Sequence, residues 1–324
     1  MSLFPKLPKA TLASLASVAI ALTTATAAVA AIDTRAPVRD SLVQSVSDAM
    51  TAYRGSAAQA YFEYDHAQQP RVEPKRADSA GQWAFGTTVI PIPADAKHKH
   101  GSPENAIFLA RATGSGWRVT FDGTPEFRAL VGQAPTSVVS AEEKTLFSKV
   151  PNTTLVNTGL ALPWSQNASW GWGGGPHGYS GSNRPFSSID FGGYNQSVLS
   201  PASGRIYKSC ISGGSALVTV VHDSGYRTSY YHMTNLTTLP DGTAIQLGTR
   251  LGTTGTALPC GGSANGAHVH FTLLSGSGSY VAVHGKTIGG WTFYEGAQAY
   301  QGYADRFGTR SYPGSGRLTN YGVS

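Results

Sequence analysis

The chain has 324 residues, of which 40% are hydrophobic and only 13% charged, with a net charge of +6. Its length corresponds to about two domains of ~150 residues and is ample to bury a core. The composition excludes an acidic disordered tail and a coiled coil, and no solenoid-type repeat is visible.

The N-terminus reads as an address. Lys6 and Lys9 form a small basic region, and Ala10 to Ala31 is apolar and small. The run ends in Ala28-Val29-Ala30, a small-residue cleavage pattern. The expectation is a signal peptide over 1–30 and a secreted, extracellular product. No later apolar run reaches 18 residues, so the mature form is expected to have no membrane span. Export implies an oxidising compartment. The two cysteines, Cys210 and Cys260, form an even pair there, which favours one disulfide over two free thiols. The bridge would close a loop of about 50 residues and contribute ~4 kcal/mol in the chain-entropy model.

Residues 31–150 predict a small α+β domain. Val38, Leu42, Val46 and Met50 recur every four residues before Gly55, as in an amphipathic helix. Ala106–Ala110 and Trp117–Phe121 flank Gly114-Ser115-Gly116 and read as a hairpin. Thr124-Pro125-Glu126 opens a short helix, and Ser140-Ala141-Glu142-Glu143 is a capping box. His98 and His100 flank Lys99, and a solvated loop is favoured there over a metal site. No catalytic set is evident in this part. Its position suggests a pro-segment that assists folding or masks a site, followed by an exposed cleavable junction from about 150 to 159. The alternative is a retained N-terminal domain with its own binding role.

Composition changes near residue 150. Residues 1–152 hold 15 Lys/Arg and 13 Asp/Glu, whereas 153–324 hold 9 and 5. Glycine rises from 8 to 31 across the same boundary. The basic residues are scattered rather than clustered, which argues against nucleic acid and suits a polyanionic surface such as a bacterial wall. Residues 151–324 are read as a mainly-β domain: short alternating runs dominate, and no long helical period occurs. The clearest are Ala216–His222, Tyr226–Met233 and His268–Leu274, the first two joined as a hairpin at Asp223-Ser224-Gly225.

Six of the nine histidines lie in this half. His268 and His270 flank Val269 in a strand pattern, so both imidazoles share one face. A polar, turn-rich loop delivers His177, and Asp190 opens an apolar strand start. His232 ends a run whose alternate members are Tyr226, Thr228 and Tyr230. A His-Asp-His set leaves one tetrahedral position of zinc open, the arrangement of a catalytic site. Remaining histidines move protons near neutral pH. His222 and His284 are read as structural. Trp164, Trp170, Trp172 and Tyr179 are candidates for a groove wall, with ordinary packing an equal alternative.

At these residues the sequence resembles the lysostaphin-type zinc endopeptidases, in the branch of staphylolysin and the β-lytic metalloendopeptidases. The resemblance covers roughly residues 155–300. It rests on Leu162-Pro163-Trp164, the His177-to-Asp190 loop, Tyr230-Tyr231-His232-Met233, Cys260-Gly261-Gly262 and Gly266-Ala267-His268-Val269-His270-Phe271. It implies His177, Asp190 and His270 as Zn2+ ligands. It implies catalytic roles for His268, which handles protons, and His232, which stabilises the developing oxyanion. Cys210 and Cys260 match a family disulfide. The implied fold is a twisted antiparallel sheet with the metal in a groove. The implied substrates are peptide bonds of bacterial peptidoglycan, especially glycine-containing cross-bridges. Two departures stand out: Val269 replaces the usual Leu, and residues 300–324 lack the cysteines of the branch's second disulfide.

The expectation is therefore a secreted zinc endopeptidase, monomeric, made as a pro-enzyme and released by an activating protease. A catalytically silent wall-binding module on the same fold and a peptidoglycan amidase are the alternatives. A serine hydrolase is disfavoured because no G-x-S-x-G elbow is present. A junction residue such as Asn152 or Asn157 is a candidate latent fourth ligand.

Overall fold

The computed structural model describes residues 36–66, 68–149, 154 and 156–324. The expected signal peptide lies outside them. The chain is mainly β, with antiparallel sheets, and among the described residues every helix precedes residue 148.

Helix α1 (Ala36–Met50) buries Leu42, Val46 and Met50, as the four-residue spacing predicts. It does not end at Gly55. A π-helical turn over Thr51–Gly55 carries it into α2 (Ser56–Phe62), because Gly55 keeps right-handed helical angles. The helical run ends at Glu63, which turns left-handed at φ 49°.

Strands β1 (Arg71–Ala77), β2 (Trp83–Ile90), β3 (Glu104–Thr113) and β4 (Gly116–Phe121) form an antiparallel sheet in sequence order. The predicted hairpin is β3–β4. All eight residues of β2 are buried because both faces are covered. Ala84 and Ile90 pack with Leu42, Val46, Met50 and Phe108 on one side. Phe85 packs with Phe127, Phe147, Tyr207 and Val221 on the other. Helix α3 (Pro125–Val131) starts at the Thr124 cap. Helix α4 (Ala141–Phe147) starts at the Ser140–Glu143 capping box.

The second half is built on β5 (Ser169–His177), β6 (Ser188–Phe191), β7 (Ser197–Leu199), β8 (Gly204–Ser212), β9 (Ser215–His222), β10 (Arg227–Thr234), β11 (Ala244–Ile245), β12 (Arg250–Ala257) and β13 (Val269–Leu274). These are followed by β14 (Thr287–Ile288), β15 (Trp291–Glu295), β16 (Gly302–Arg306), β17 (Thr309–Ser311) and β18 (Arg317–Thr319). The main sheet runs β11-β8-β9-β10-β13-β6-β5-β18, with β12 joined to β10 and β7 to β12. The predicted hairpin at 223–225 is β9–β10. Trp164, Trp170 and Trp172 pack in the core beneath this sheet with Phe191, Phe271 and Phe293. Full burial of each such side chain contributes about 1.5–3 kcal/mol.

The C-terminal stretch is held without cysteines. Strands β14 to β17 form a four-stranded sheet in sequence order, and β18 pairs with β5. Buried Asn320 ties the end back: its Oδ1 accepts from Leu162 N–H at 3.2 Å, and its Nδ2 donates to Leu162 C=O at 3.1 Å. Cys210 and Cys260 are disulfide-bonded, with Cα atoms 5.8 Å apart.

Candidate metal centre

Three neighbouring strands bring the predicted ligands together. His177 ends β5, Asp190 lies on β6, and His270 lies on β13, in register opposite Asp190. His177 Nε2 is 3.2 Å from His270 Nδ1 and 3.4 Å from Asp190 Oδ1. His270 Nδ1 is 3.1 Å from the same oxygen. His177 and His270 are buried, and Asp190 is partly open. Val269, the first residue of β13 and flanked by His268 and His270, points into the core, as the strand period requires.

Gly174 makes this convergence sterically feasible. It pairs with Asp190 across β5 and β6. A Cβ there would stand 2.6 Å from Asp190 Oδ2 and 3.0 Å from the Tyr300 ring. Any larger residue would push the carboxylate aside.

The hydrogen bonds fix the imidazole tautomers. His177 Nδ1 lies 2.7 Å from the Gly175 carbonyl, which can only accept, so the proton sits on Nδ1. The lone pair of His177 Nε2 then faces the Asp190 carboxylate. Two such acceptors at 3.4 Å repel unless a cation lies between them. A tetrahedral ion with donors at about 2.0–2.1 Å spaces them at about 3.3–3.4 Å, and the three separations here are 3.1, 3.2 and 3.4 Å. Among the described residues the buried His270 Nε2 has no hydrogen-bond partner, and the nitrogen engaged there is the one facing the cluster. The donor set therefore fits a divalent metal.

Burial works to raise the Asp190 carboxyl, but His177 and His270 outweigh it and hold the group well below the usual carboxylate range. Burial pushes His270 down to about 4 against the pull of Asp190. It also pushes His232 down to about 3, helped by the neighbouring His268 and His270. Both rings are therefore neutral near pH 7, as ligation requires of an imidazole.

The other two predicted histidines are close by. His268 Nε2 is 3.6 Å from Asp190 Oδ1, and its Nδ1 donates to the Gly266 carbonyl at 2.9 Å. The His232 and His268 ring centroids are 4.7 Å apart. His232 takes a left-handed φ of 67° at a bulge between β10 and β12, and its Nδ1 donates to the Ala257 carbonyl at 3.2 Å. The bulge re-aims its ring out of the strand's regular alternation.

All of these groups except His177 line one cavity of about 400 Å³. Its walls correct the aromatic expectation. Trp164, Trp170 and Trp172 lie in the core, and Tyr179 is buried against Tyr280. The lining is instead Gly173, Gly174 and Gly192, the 263–268 loop, and Tyr300. Tyr300 stacks on His177 at 4.2 Å between centroids. It sits at φ 68° in the β15–β16 connection, and no local motif marks it.

His98 pairs with Glu63 and stays exposed, as the solvated-loop reading expects. His100 is exposed too but borders the cavity. Asn157 is exposed and bridged to Thr287, and Asn152 lies outside the described residues. His222 is buried at the end of β9 with Nε2 2.8 Å from Thr228 Oγ1, and His284 Nδ1 accepts from Glu295 N–H. Both are structural, as read.

The profile of Peptidase family M23 matches residues 184–282, a span that holds Asp190, His232, His268 and His270. Protease LasA of Pseudomonas aeruginosa is 33% identical over 161 residues, which cover 46% of this chain and 36% of LasA. The match thus spans about a third of that relative's length. A beta-lytic metalloendopeptidase of Lysobacter enzymogenes is 30% identical over 158 residues, 46% of this chain and 86% of the relative. Among solved structures, the deep-sea M23 metalloprotease pseudoalterin is 34% identical. That match covers 48% of this chain and 96% of pseudoalterin at a TM-score of 0.43. The Lysobacter relative, matched at 30% identity over 86% of its length, places this chain in a metallopeptidase family. The chain belongs to peptidase family M23.

Proposed function

We propose that this protein is a secreted zinc metalloendopeptidase that hydrolyses glycine-containing peptide bonds of bacterial peptidoglycan. The observation that carries the reading is the convergence of His177 Nε2, Asp190 Oδ1 and His270 Nδ1 at 3.1–3.4 Å. In this reading those three atoms hold zinc, which supplies Lewis-acid polarisation of a carbonyl and acidifies water. His268 keeps its Nδ1 proton on Gly266 and presents Nε2 to the cavity. It takes a proton from the attacking water and returns it to the leaving amine. In this reading His232, anchored on Ala257, borders the same space and acts on the developing oxyanion. The glycine-lined walls favour a substrate without side chains at the scissile bond.

Residues 31–150 act as a pro-segment ahead of a catalytic domain over 151–324. Around the junction, Thr154 and Val156 are exposed, which suits access by an activating protease. The mature enzyme acts as a monomer outside the cell; no described helix is long and apolar enough to cross a membrane.

The test uses the zinc-loaded chain after proteolysis within 150–157, with pentaglycine and purified peptidoglycan as substrates and mass spectrometry as readout. Chelation and His270→Ala should each lower glycyl–glycyl cleavage by about a thousandfold or more. Wall peptides released while pentaglycine stays intact would move the scissile bond elsewhere. Intact substrates with the folded, zinc-loaded protein, or full cleavage by His270→Ala, would overturn the reading.

A further inference from the structure

The two histidines beside the metal ligands take their orientation from one loop. His268 N–H donates to Gly255 C=O at 3.0 Å and Gly255 N–H to His268 C=O at 3.2 Å, which closes residues 256–267 into a loop between β12 and β13. Each end of that loop supplies a carbonyl to an imidazole. Ala257 C=O accepts from His232 Nδ1 at 3.2 Å, and Gly266 C=O accepts from His268 Nδ1 at 2.9 Å. A carbonyl only accepts, so each bond fixes the proton on Nδ1 and leaves Nε2 as the basic nitrogen. His232, His268 and residues 263–267 line the same cavity.

The middle of the loop is held by a buried phenol. Tyr231 Oη accepts from Cys260 N–H at 2.9 Å and donates to Gly261 C=O at 2.8 Å. Those are consecutive residues of one turn, and a single group that both donates and accepts satisfies the two together. Burial pushes the Tyr231 phenol above its ordinary range, so it keeps the proton it donates. Its ring is fully buried, with its centroid 4.6 Å from that of His232. The Cys210–Cys260 disulfide ties the same turn to β8. The first half of the chain adds three contacts: Arg71 Nη1 donates to Pro259 C=O at 3.0 Å, Ile92 N–H to Cys260 C=O at 3.0 Å, and Ser263 N–H to Lys99 C=O at 2.7 Å.

We infer that Tyr231 is a positioning residue for both histidines: its phenol pins the 256–267 loop, and the carbonyls at the two ends of that loop set the imidazole tautomers with which His232 and His268 act. The inference rests on the peptidase reading above and deepens it. Phenylalanine in its place leaves Cys260 N–H and Gly261 C=O without this partner, and the loop gains the freedom to draw Ala257 and Gly266 away from the rings.

The experiment uses the full zinc-loaded chain, with nitrogen NMR of the imidazoles for the tautomers and amide hydrogen exchange for the loop. In wild type both His232 and His268 should carry the proton on Nδ1. Tyr231→Phe should mix the tautomers at both rings and speed exchange of the 263–268 amides about tenfold. Tyr230→Phe is the control. It removes the neighbouring phenol on β10, which bonds Thr228 Oγ1 at 2.7 Å, and should leave both readouts at wild type. A folded Tyr231→Phe chain with wild-type tautomers and exchange overturns the inference, and so does a Tyr230→Phe chain that matches its effect. Should Tyr231→Phe not fold, the wild-type chain decides. An Nε2 proton at either ring, or a Cys260 amide that exchanges like an exposed loop, then overturns the inference. In the nicked enzyme, Tyr231→Phe should lower kcat on pentaglycine about tenfold, with KM within about twofold of wild type. A wild-type kcat there sinks the positioning role alone. No cleavage by the wild-type enzyme, with the tautomer and exchange changes as expected, sinks the peptidase reading alone.

Discussion

Asp190 is the residue on which the centre turns. Three imidazole nitrogens lie within 3.1–3.6 Å of its Oδ1. Its position depends on a neighbour that carries no side chain. Gly174→Ala places a methyl group against Asp190 Oδ2 and the Tyr300 ring. The expected outcome is a loss of zinc affinity of about 10–100-fold, the range for disturbed support of a ligand. Zinc titration against a competing chelator, with thermal melting to verify folding, measures it. The histidine pair was legible in the sequence because a strand has period 2 and H-x-H therefore points one way. Gly174 and Tyr300 were not. Gly174 matters only through the β5–β6 register, and Tyr300 reaches the cavity from a connection more than 120 residues beyond His177.

At the scale of elements, the local signals carried far. The hairpins β3–β4 and β9–β10, the Thr124 cap and the Ser140 capping box each follow from residues within a few positions of one another. Gly55 misled because a glycine is compatible with a helix, and only its neighbours decide whether the chain turns there. The end of β9 carries a pH dependence of its own. Burial lowers His222 to about 4, against support from the Ser203 and Ala202 backbone. Unfolded, the same ring titrates at about 6.5, so below that pH the unfolded chain binds the proton more readily. Its contribution is full above about pH 6.5 and is lost as pH falls toward 4, a change of up to about 3 kcal/mol. Denaturant unfolding at pH 7 and pH 4.5 should show this loss in wild type and a smaller one in His222→Gln.

The whole molecule shows what local reasoning misses. The two halves differ in charge and glycine content, but nothing in either composition says how they meet. They meet through buried polar contacts. Asp122 pairs with buried Arg227, Glu73 accepts from Cys210 N–H at 2.7 Å, and Tyr207 donates to Glu143 at 2.8 Å. The aromatic cluster of Phe85, Phe147 and Tyr207 closes over the last of these. Partners so far apart in sequence carry no mutual signature, so the reach of residues 92–102 into the groove could not be read in advance.

The order β13-β6-β5 also bears on how the sheet withstands heat. Its middle member, β6, has four residues, yet it joins the long strands on either side. Each of the three contributes one donor to the same point, so an ion bound there acts as a rivet through the weakest row of the sheet. Binding to the native state alone adds about 2.7 kcal/mol when free metal stands at 100 times its dissociation constant. The melting temperature should therefore climb with zinc concentration and fall on chelation. The first amides to lose protection on chelation should be those of β6 and its two neighbours, followed by hydrogen exchange.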